Sequence, residues 1–313
     1  MWSSEVVNTT KMMTVTAEAQ RLLSAADIRR LAEHLQLRPT KSWGQNYVID
    51  PNTIRRIVDQ AQLDPTEHVL EIGPGLGSLT LGLLDQATAV TAVEIDPVPA
   101  AALLETLEHF RPGASRCASV LQANALQIDA DQLHDVRPTA TNSAPTALVA
   151  NLPYNVAVPV LLHILASVPS IRHGLVMVQQ EVADRLCAAP GTKIYGVPSA
   201  KLAWYATARS AGTVGTHVFW PAPRIKSGLV HFHQREPIQT TASRNEVFTV
   251  IDEAFAQRRK TLRAALSNWA GSGASAERIL RAAGLNPQAR GEVLSIEDFA
   301  AIAEQSKTLG VGG

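Results

Sequence analysis

Cysteine is nearly missing from this sequence: Cys117 and Cys187 are the only two in 313 residues. Two such residues exclude a disulfide framework and offer no metal-ligand spacing. Their scarcity fits a reducing cytoplasm. No apolar run is long enough to span a membrane, and the N-terminus has no basic segment leading into an apolar core, so no signal peptide is expected. Neither sign of charge is in excess: 28 basic and 28 acidic residues give a formal net charge of zero. That argues against a protein that coats nucleic acid non-specifically, but not against one with a local basic face. There is no internal repeat and no low-complexity block. What remains is a chain 46% apolar, long enough for a full core plus a smaller second domain.

The chemistry concentrates at Ala150-Asn151-Leu152-Pro153-Tyr154-Asn155. The apolar run Ala147-Leu148-Val149 before it reads as a buried strand. Pro153 ends the ladder, having no N–H to donate. In open α/β sheets ligands sit beyond such strand ends. Asn151 offers an amide oxygen, Leu152 a carbonyl freed from the sheet, and Tyr154 a flat aromatic face. Two acceptors and a stacking face suit a planar ring with an exocyclic amino group, such as adenine. A strand followed by a proline turn with a surface Tyr also fits these residues taken alone.

A second site lies upstream. The β-type run His68–Ile72 leads into Gly73-Pro74-Gly75-Leu76-Gly77, and Ser78–Leu84 reads as a helix. A strand, a glycine loop and a helix start make a nucleotide-binding turn. The next strand, Ala89–Val93, ends in Glu94-Ile95-Asp96, where an acid is placed to accept both ribose hydroxyls. The third strand, Ser119–Gln122, is followed by Asn124, positioned to hydrogen-bond a base edge.

Elsewhere the periodicity predicts helices over Ala25–Leu37 with Ser24 as N-cap, Asn52–Gln62, Val156–Ala166 and Gln179–Ala188. Lys41–Val48 reads as a loop, either closing over a ligand or on the surface. Asp129–Thr146 reads as surface loop or short helix, Gly174–Val178 as a strand, Leu202–Ala208 as extended, and Leu229–His233 as a strand. His231 and His233 share a strand face without an Asp, Glu or Cys partner, so no metal site is expected. After a polar linker at Pro237–Ser243, Asn245–Trp269 is expected to be one helix, with Ala276–Ala283 and Ser295–Glu304 as shorter ones. The division is therefore an extension over 1–24, an α/β domain over 25–236 and a helical domain over 237–313.

Taken together, the motifs resemble the ribosomal small-subunit (16S) RNA adenine N6,N6-dimethyltransferases (KsgA/RsmA type). The matching segments run in order from Lys41 to Leu266: Gly44-Gln45-Asn46, Val69–Gly77, Val93–Asp96, Asn151–Asn155, Gln180-Glu181-Val182, Tyr195-Gly196, the Phe-x-Pro-x-Pro stretch Phe219–Pro223, and Gln257–Arg263. Three positions depart from the family pattern: Ala150 stands for a Gly, Asn124 for an Asp, and Lys226 for an acid. An Asn oxygen still accepts from an adenine amino group.

The resemblance implies a Rossmann-like methyltransferase domain with a small C-terminal helical domain, and S-adenosylmethionine as cofactor. It places Gln45, Asn46, Val48, Gly73, Gly75, Gly77, Glu94, Ile95, Asn124, Ala125 and Asn151 around that cofactor. It assigns Asn151, Leu152, Pro153, Tyr154 and Phe219 to the chemistry. The RNA-holding residues are expected to be Arg224, Lys226, Arg258, Arg259, Lys260 and Arg263; on a continuous helix Arg259 and Arg263 share a face. The implied reaction is dimethylation of N6 on two adjacent adenosines near the 3′ end of 16S rRNA, in the small ribosomal subunit, by a cytoplasmic monomer needing no metal and no membrane. The resistance-type 23S rRNA adenine methyltransferases are the same-class alternative, disfavoured by the longer helical tail and its basic segment. A non-catalytic assembly or transcription factor keeping the fold is the other alternative, and the intact Asn151–Tyr154 and Glu94 argue against it.

Overall fold

The structure is a computed structural model that describes residues 21–37 and 46–311. Arg21–Ser24 belong to it, whereas the rest of the expected N-terminal extension and the Lys41–Gln45 loop lie outside the described residues.

The described chain opens with α1 (Ala25–His34), capped by Ser24, whose hydroxyl accepts from Asp27 N while the Asp27 carboxylate accepts from Ser24 N. This reciprocal cap satisfies two of the N–H groups a helix start leaves without partners. Hydrogen bonds from Arg21, with help from Ser24 and Arg30, hold the Asp27 carboxyl well below the usual carboxylate range. β1 (Tyr47–Val48) then precedes α2 (Pro51–Ala61), where Asp50 caps the first turn and Pro51 occupies the position at which its missing N–H costs nothing.

The parallel core follows. β2 (His68–Ile72) leads to α3 (Ser78–Leu83), β3 (Ala89–Glu94), α4 (Pro97–Phe110), α5 (Ala114–Cys117) and β4 (Ala118–Gln122). α6 (Ala130–Asp135), β5 (Ala147–Asn151), α7 (Ala157–Ser167) and β6 (His173–Gln179) complete it. β2 and β3 are buried along their whole length, as expected of strands covered by helices on both faces. α4 is an element the sequence reading does not supply. Prolines at 97 and 99 disguise its start, yet both fall in the first turn, where they are tolerated.

The seven-stranded sheet has the order β4-β3-β2-β5-β6-β9-β7, where β7 is Ala206–Val214 and β9 is Ser227–Gln234. A separate two-stranded ribbon pairs β1 with β8 (Phe219–Trp220), antiparallel, with Tyr47 opposite Trp220 and Val48 opposite Phe219. β2 pairs in parallel with β3 on one side and with β5 on the other. The chain thus winds outward through β3 and β4, then returns to the opposite edge of β2. That reversal is the topological switch point of a doubly wound, Rossmann-like sheet, where a crevice opens beyond the strand ends.

The chain forms two compact units. The first takes the described residues up to Gln180 together with Ala211–His231; the second takes Glu181–Ser210 and the chain from Phe232 on. The segment Glu181–Ser210, placed in the first domain by the sequence reading, joins the second because its side chains complete that core. Tyr195 and Ala200 pack with Val247, Ile251, Leu262, Ile279 and Phe299. Tyr195 also donates its hydroxyl to Leu294 C=O at 2.9 Å.

Two expectations are corrected here. Leu202–Ala208 is not a single extended run: α9 (Val197–Ala203), which follows α8 (Gln180–Leu186), ends before β7 begins at Ala206. Asn245–Trp269 is not one helix either. α10 spans Arg244–Ala256, Gln257–Thr261 is turn, and α11 covers only Leu262–Ala265. Two further helices, α12 (Gly273–Ala282) and α13 (Ile296–Thr308), close the chain. Of the two histidines of β9, His231 is buried and His233 exposed, because burial along β9 stops after Phe232.

Candidate functional site

At the switch point, five stretches of the first unit line one pocket: Asn46–Val48, Glu71–Leu79, Val93–Ile95, Ala123–Ala125 and the turn after β5. Of the eleven residues expected around a cofactor, nine line it. Gln45 lies outside the described residues, and Gly77 sits just behind the wall, as the residue before α3.

The glycine loop is held from both sides. Gly73 N donates to Val93 C=O at 2.9 Å, and Gly77 N closes a turn onto Pro74 C=O at 3.0 Å. Gly75 is required twice over. Its φ is +53°, and a Cβ there would come within 2.7 Å of the Tyr47 ring. The Tyr47 ring itself is stacked on Trp220, with centroids 6.2 Å apart.

Glu94, at the end of β3, is 6% exposed. Its two oxygens accept from Gly75 N at 3.1 Å and Asp96 N at 3.0 Å. Burial pushes its carboxyl above the ordinary value, although these backbone donors oppose the shift. Each carboxylate oxygen keeps acceptor capacity beyond one such bond. Ile95 beside it is exposed and supplies an apolar surface at the rim. Asn124 Oδ1 accepts from Leu126 N at 3.0 Å, so the side chain is fixed by its own turn while its oxygen keeps a second lone pair.

At the end of β5 the expected strand stop is present. Leu152 N donates to Met177 C=O at 3.0 Å, and Pro153 has no N–H to carry the pairing further. Asn151 Nδ2 donates to the backbone C=O of Asn46 at 3.0 Å. A carbonyl only accepts, so this bond fixes the amide's orientation and leaves Oδ1 as the end that accepts. Tyr154 is half-buried, its hydroxyl paired with Ser227 Oγ at 2.7 Å; burial raises its pKa. Of the residues assigned to the chemistry, Asn151 and Pro153 line the pocket, whereas Leu152 and Tyr154 do not, and nor does Phe219. It is 3% exposed and packs in the core of the first unit, so its ring does not line the pocket.

Three polar residues of the pocket lie outside the expected site residues. Tyr47, Glu71 and Ser78 all line the pocket, and Tyr47 Oη, Glu71 Oε2 and Ser78 Oγ are buried without a hydrogen-bond partner among the described residues. Burial pushes the Glu71 carboxyl up to about 8. Glu71 carries a signal, an acid between Leu70 and Ile72 in a buried strand; Tyr47 and Ser78 carry none without the register that places them.

The basic residues separate into two groups. Arg224 and Lys226 are exposed on the loop before β9. In the second unit, Arg258 is engaged: Nε bonds Glu292 Oε2 at 3.1 Å and one terminal N donates to Lys193 C=O at 2.6 Å. Arg263 is paired with Glu277 at 2.9 Å. Arg259 and Lys260 are exposed on the turn, and no helix face joins Arg259 to Arg263.

Among the described residues no cluster of three or more His, Cys, Asp or Glu is arranged to hold a metal, and no helix is long and apolar enough to cross a membrane. A family model described as ribosomal RNA adenine dimethylase matches residues 37–307. The ribosomal RNA small subunit methyltransferase A of Arthrobacter sp. (strain FB24) is 62% identical over 283 residues, covering 90% of this chain and 92% of the relative. That of Thermobifida fusca (strain YX) is 59% identical, covering 91% and 96%. Among solved structures, a dimethyladenosine transferase from Plasmodium falciparum shares the fold with a TM-score of 0.69 at 20% identity, over 84% of this chain and 98% of that one. The 23S rRNA methyltransferase ErmE superposes with a TM-score of 0.57 at 25% identity, over 83% and 98%.

Proposed function

Because the chain belongs to the ribosomal RNA adenine dimethylase family, we propose that it dimethylates N6 of two adjacent adenosines near the 3′ end of 16S rRNA, within the small ribosomal subunit, with S-adenosylmethionine as donor. The switch-point pocket fits that cofactor. Its buried atoms without a partner among the described residues, Tyr47 Oη, Glu71 Oε2 and Ser78 Oγ, are of the kind that a ligand rich in hydroxyl, amino and carboxylate groups satisfies. Asn46, Val48, the glycine loop, Glu94, Ile95, Asn124 and Ala125 would hold it. When bound, the group supplies a methyl already activated on a sulfonium, so no metal is needed.

The observation that carries the reading is the Asn151–Asn46 bond at the pocket's edge. It supports reading Asn151 Oδ1 as a fixed acceptor, with the carbonyl of Leu152 as the next acceptor along the chain. The adenine N6 lone pair is delocalised into the ring and attacks poorly. Two acceptors on its amino hydrogens hold N6 in place and favour the positive charge that builds on it. Tyr154, its hydroxyl anchored on Ser227, offers a ring face to the base and to that charge. The target must be flipped or single-stranded, since N6 is out of reach inside a duplex. Phe219 is assigned to the other face of the base by resemblance; packed as it is, it serves only if the ribbon of β1 and β8 uncovers it. The first unit carries the transfer and the second grips RNA, with exposed Arg259 and Lys260 of the second and Arg224 and Lys226 of the first meeting phosphates. The protein acts as a monomer in the cytoplasm.

The test is transfer of radiolabelled methyl groups to small subunits lacking the modification. Wild type is expected to label adenine N6. Asn151→Ala is expected to keep cofactor binding and lose most turnover; full activity in that variant, or no transfer by wild type, defeats the reading.

A further inference from the structure

That reading leaves open which group of the cofactor meets the Tyr47 hydroxyl. Tyr47 is 8% exposed, its Oη is buried, and it has no hydrogen-bond partner among the described residues. A buried hydroxyl left unpartnered destabilises the fold unless something else satisfies it. The ring position is not accidental. β1 is paired with β8, the ring is stacked on Trp220, and it lies against Gly75, where a Cβ would meet Cε1 at 2.7 Å. Gly75 in turn donates its N–H to Glu94 Oε2. The phenol is therefore anchored over the part of the glycine loop that is tied to the acid at the end of β3.

Resting on the cofactor assignment above, we propose that the Tyr47 hydroxyl donates a hydrogen bond to a ribose oxygen of S-adenosylmethionine, as a second ribose-recognition residue complementary to Glu94. The two side chains ask for opposite halves of the same hydroxyls. Glu94 as a carboxylate only accepts, so it takes ribose hydrogens; the ribose oxygens keep lone pairs that a donor fills. Tyr47 stays a donor across the physiological range, because burial, reinforced by Glu94 and Asp96, pushes its ionisation above the ordinary tyrosine value. The same two acids disfavour the cofactor's amino-acid carboxylate at this point and select the neutral sugar. Tyr47 also makes the ribose end of the pocket depend on the β1–β8 ribbon, which no glycine-loop motif reveals.

The test uses the full chain and Tyr47→Phe, which keeps the ring on Gly75 and Trp220 and removes one oxygen. Calorimetry with S-adenosylhomocysteine and with methylthioadenosine, which lacks the amino-acid end, is expected to show both weakened about fivefold, the value of one net hydrogen bond. The unliganded thermal midpoint should stay level or rise, since an unpartnered polar atom has been removed, while the ligand-induced rise should shrink. In turnover, KM for the cofactor should increase with kcat nearly unchanged. Unchanged affinity for both probes, or loss for S-adenosylhomocysteine alone, overturns the ribose contact. A fall in the unliganded midpoint with unchanged affinity shows a purely structural hydroxyl and overturns it too. If wild type binds neither probe, the cofactor assignment falls and this contact with it.

Discussion

Glu71 is a carboxyl group kept where water does not reach. It is 1% exposed, and burial pushes its pKa up to about 8. Between the ordinary carboxylate value and that one, the folded chain holds a proton that the unfolded chain has released. Proton binding by the folded state alone makes stability fall as pH rises through this window. Denaturant midpoints of the wild type should therefore decline from about pH 5 to about pH 8, and Glu71→Gln, neutral throughout, should flatten the decline. An equal slope in the variant would place the titrating group elsewhere. Asn124 is the neighbouring case. Its oxygen already accepts from Leu126 N, and a carboxylate keeps that bond while adding a charged acceptor. Asn124→Asp is expected to bind S-adenosylhomocysteine as tightly as wild type or more so by calorimetry; a large loss would show that the amide NH2 is the group in use. Glu94, Asn124 and Asn151 were legible because each follows a strand whose end the sequence marks. Tyr47 was not, since its position depends on pairing with Trp220, which lies 173 residues further along the chain.

At the scale of elements, the most instructive difference is the turn at Gln257–Thr261. Gln, Arg, Arg and Lys are good helix formers, so propensity favours continuing α10 into α11. Tertiary bonds decide otherwise. Arg258 reaches Glu292 and Lys193 C=O, while Leu262 N and Arg263 N donate to Ala289 and Pro287 carbonyls at 2.7 and 3.0 Å. None of these partners is visible in a local window. Leu262 and Leu266 are fully buried all the same. The turn also divides the basic run by task. Arg258→Ala should lower stability by about 1 kcal/mol, losing a part-exposed ion pair and a hydrogen bond. Arg259→Ala with Lys260→Ala should leave the unfolding midpoint within about 0.5 kcal/mol of wild type. Thermal unfolding of both variants checks the division; equal losses would contradict it.

For the whole molecule, a net charge of zero means that no general field draws in RNA. Attraction must come from local groups, so naked RNA should bind weakly and a folded ribosomal surface better. The Arg259→Ala/Lys260→Ala variant should flatten the slope of log K against log salt for subunit binding by about 1 to 2 units. An unchanged slope would make this turn a solvated surface only. The doubly wound sheet was foreseeable from alternating strands and helices, whereas the allocation of Glu181–Ser210 was not, because it follows from which core Tyr195 and Ala200 complete.

The strand order sets a timetable for synthesis. The glycine loop and Glu94 leave the ribosome early, yet β5 enters the sheet directly against β2 only after two intervening strands, β3 and β4. A nascent chain ending before Ala147 has most of a nucleotide pocket and an open, apolar β2 edge beside it, the kind of edge that recruits foreign strands. Until β5 closes that edge, β2 is paired on one side only and Asn151 is absent. The interval during which β3 and β4 exist without β5 is therefore the period in which the growing chain is expected to be most open to capture by foreign strands.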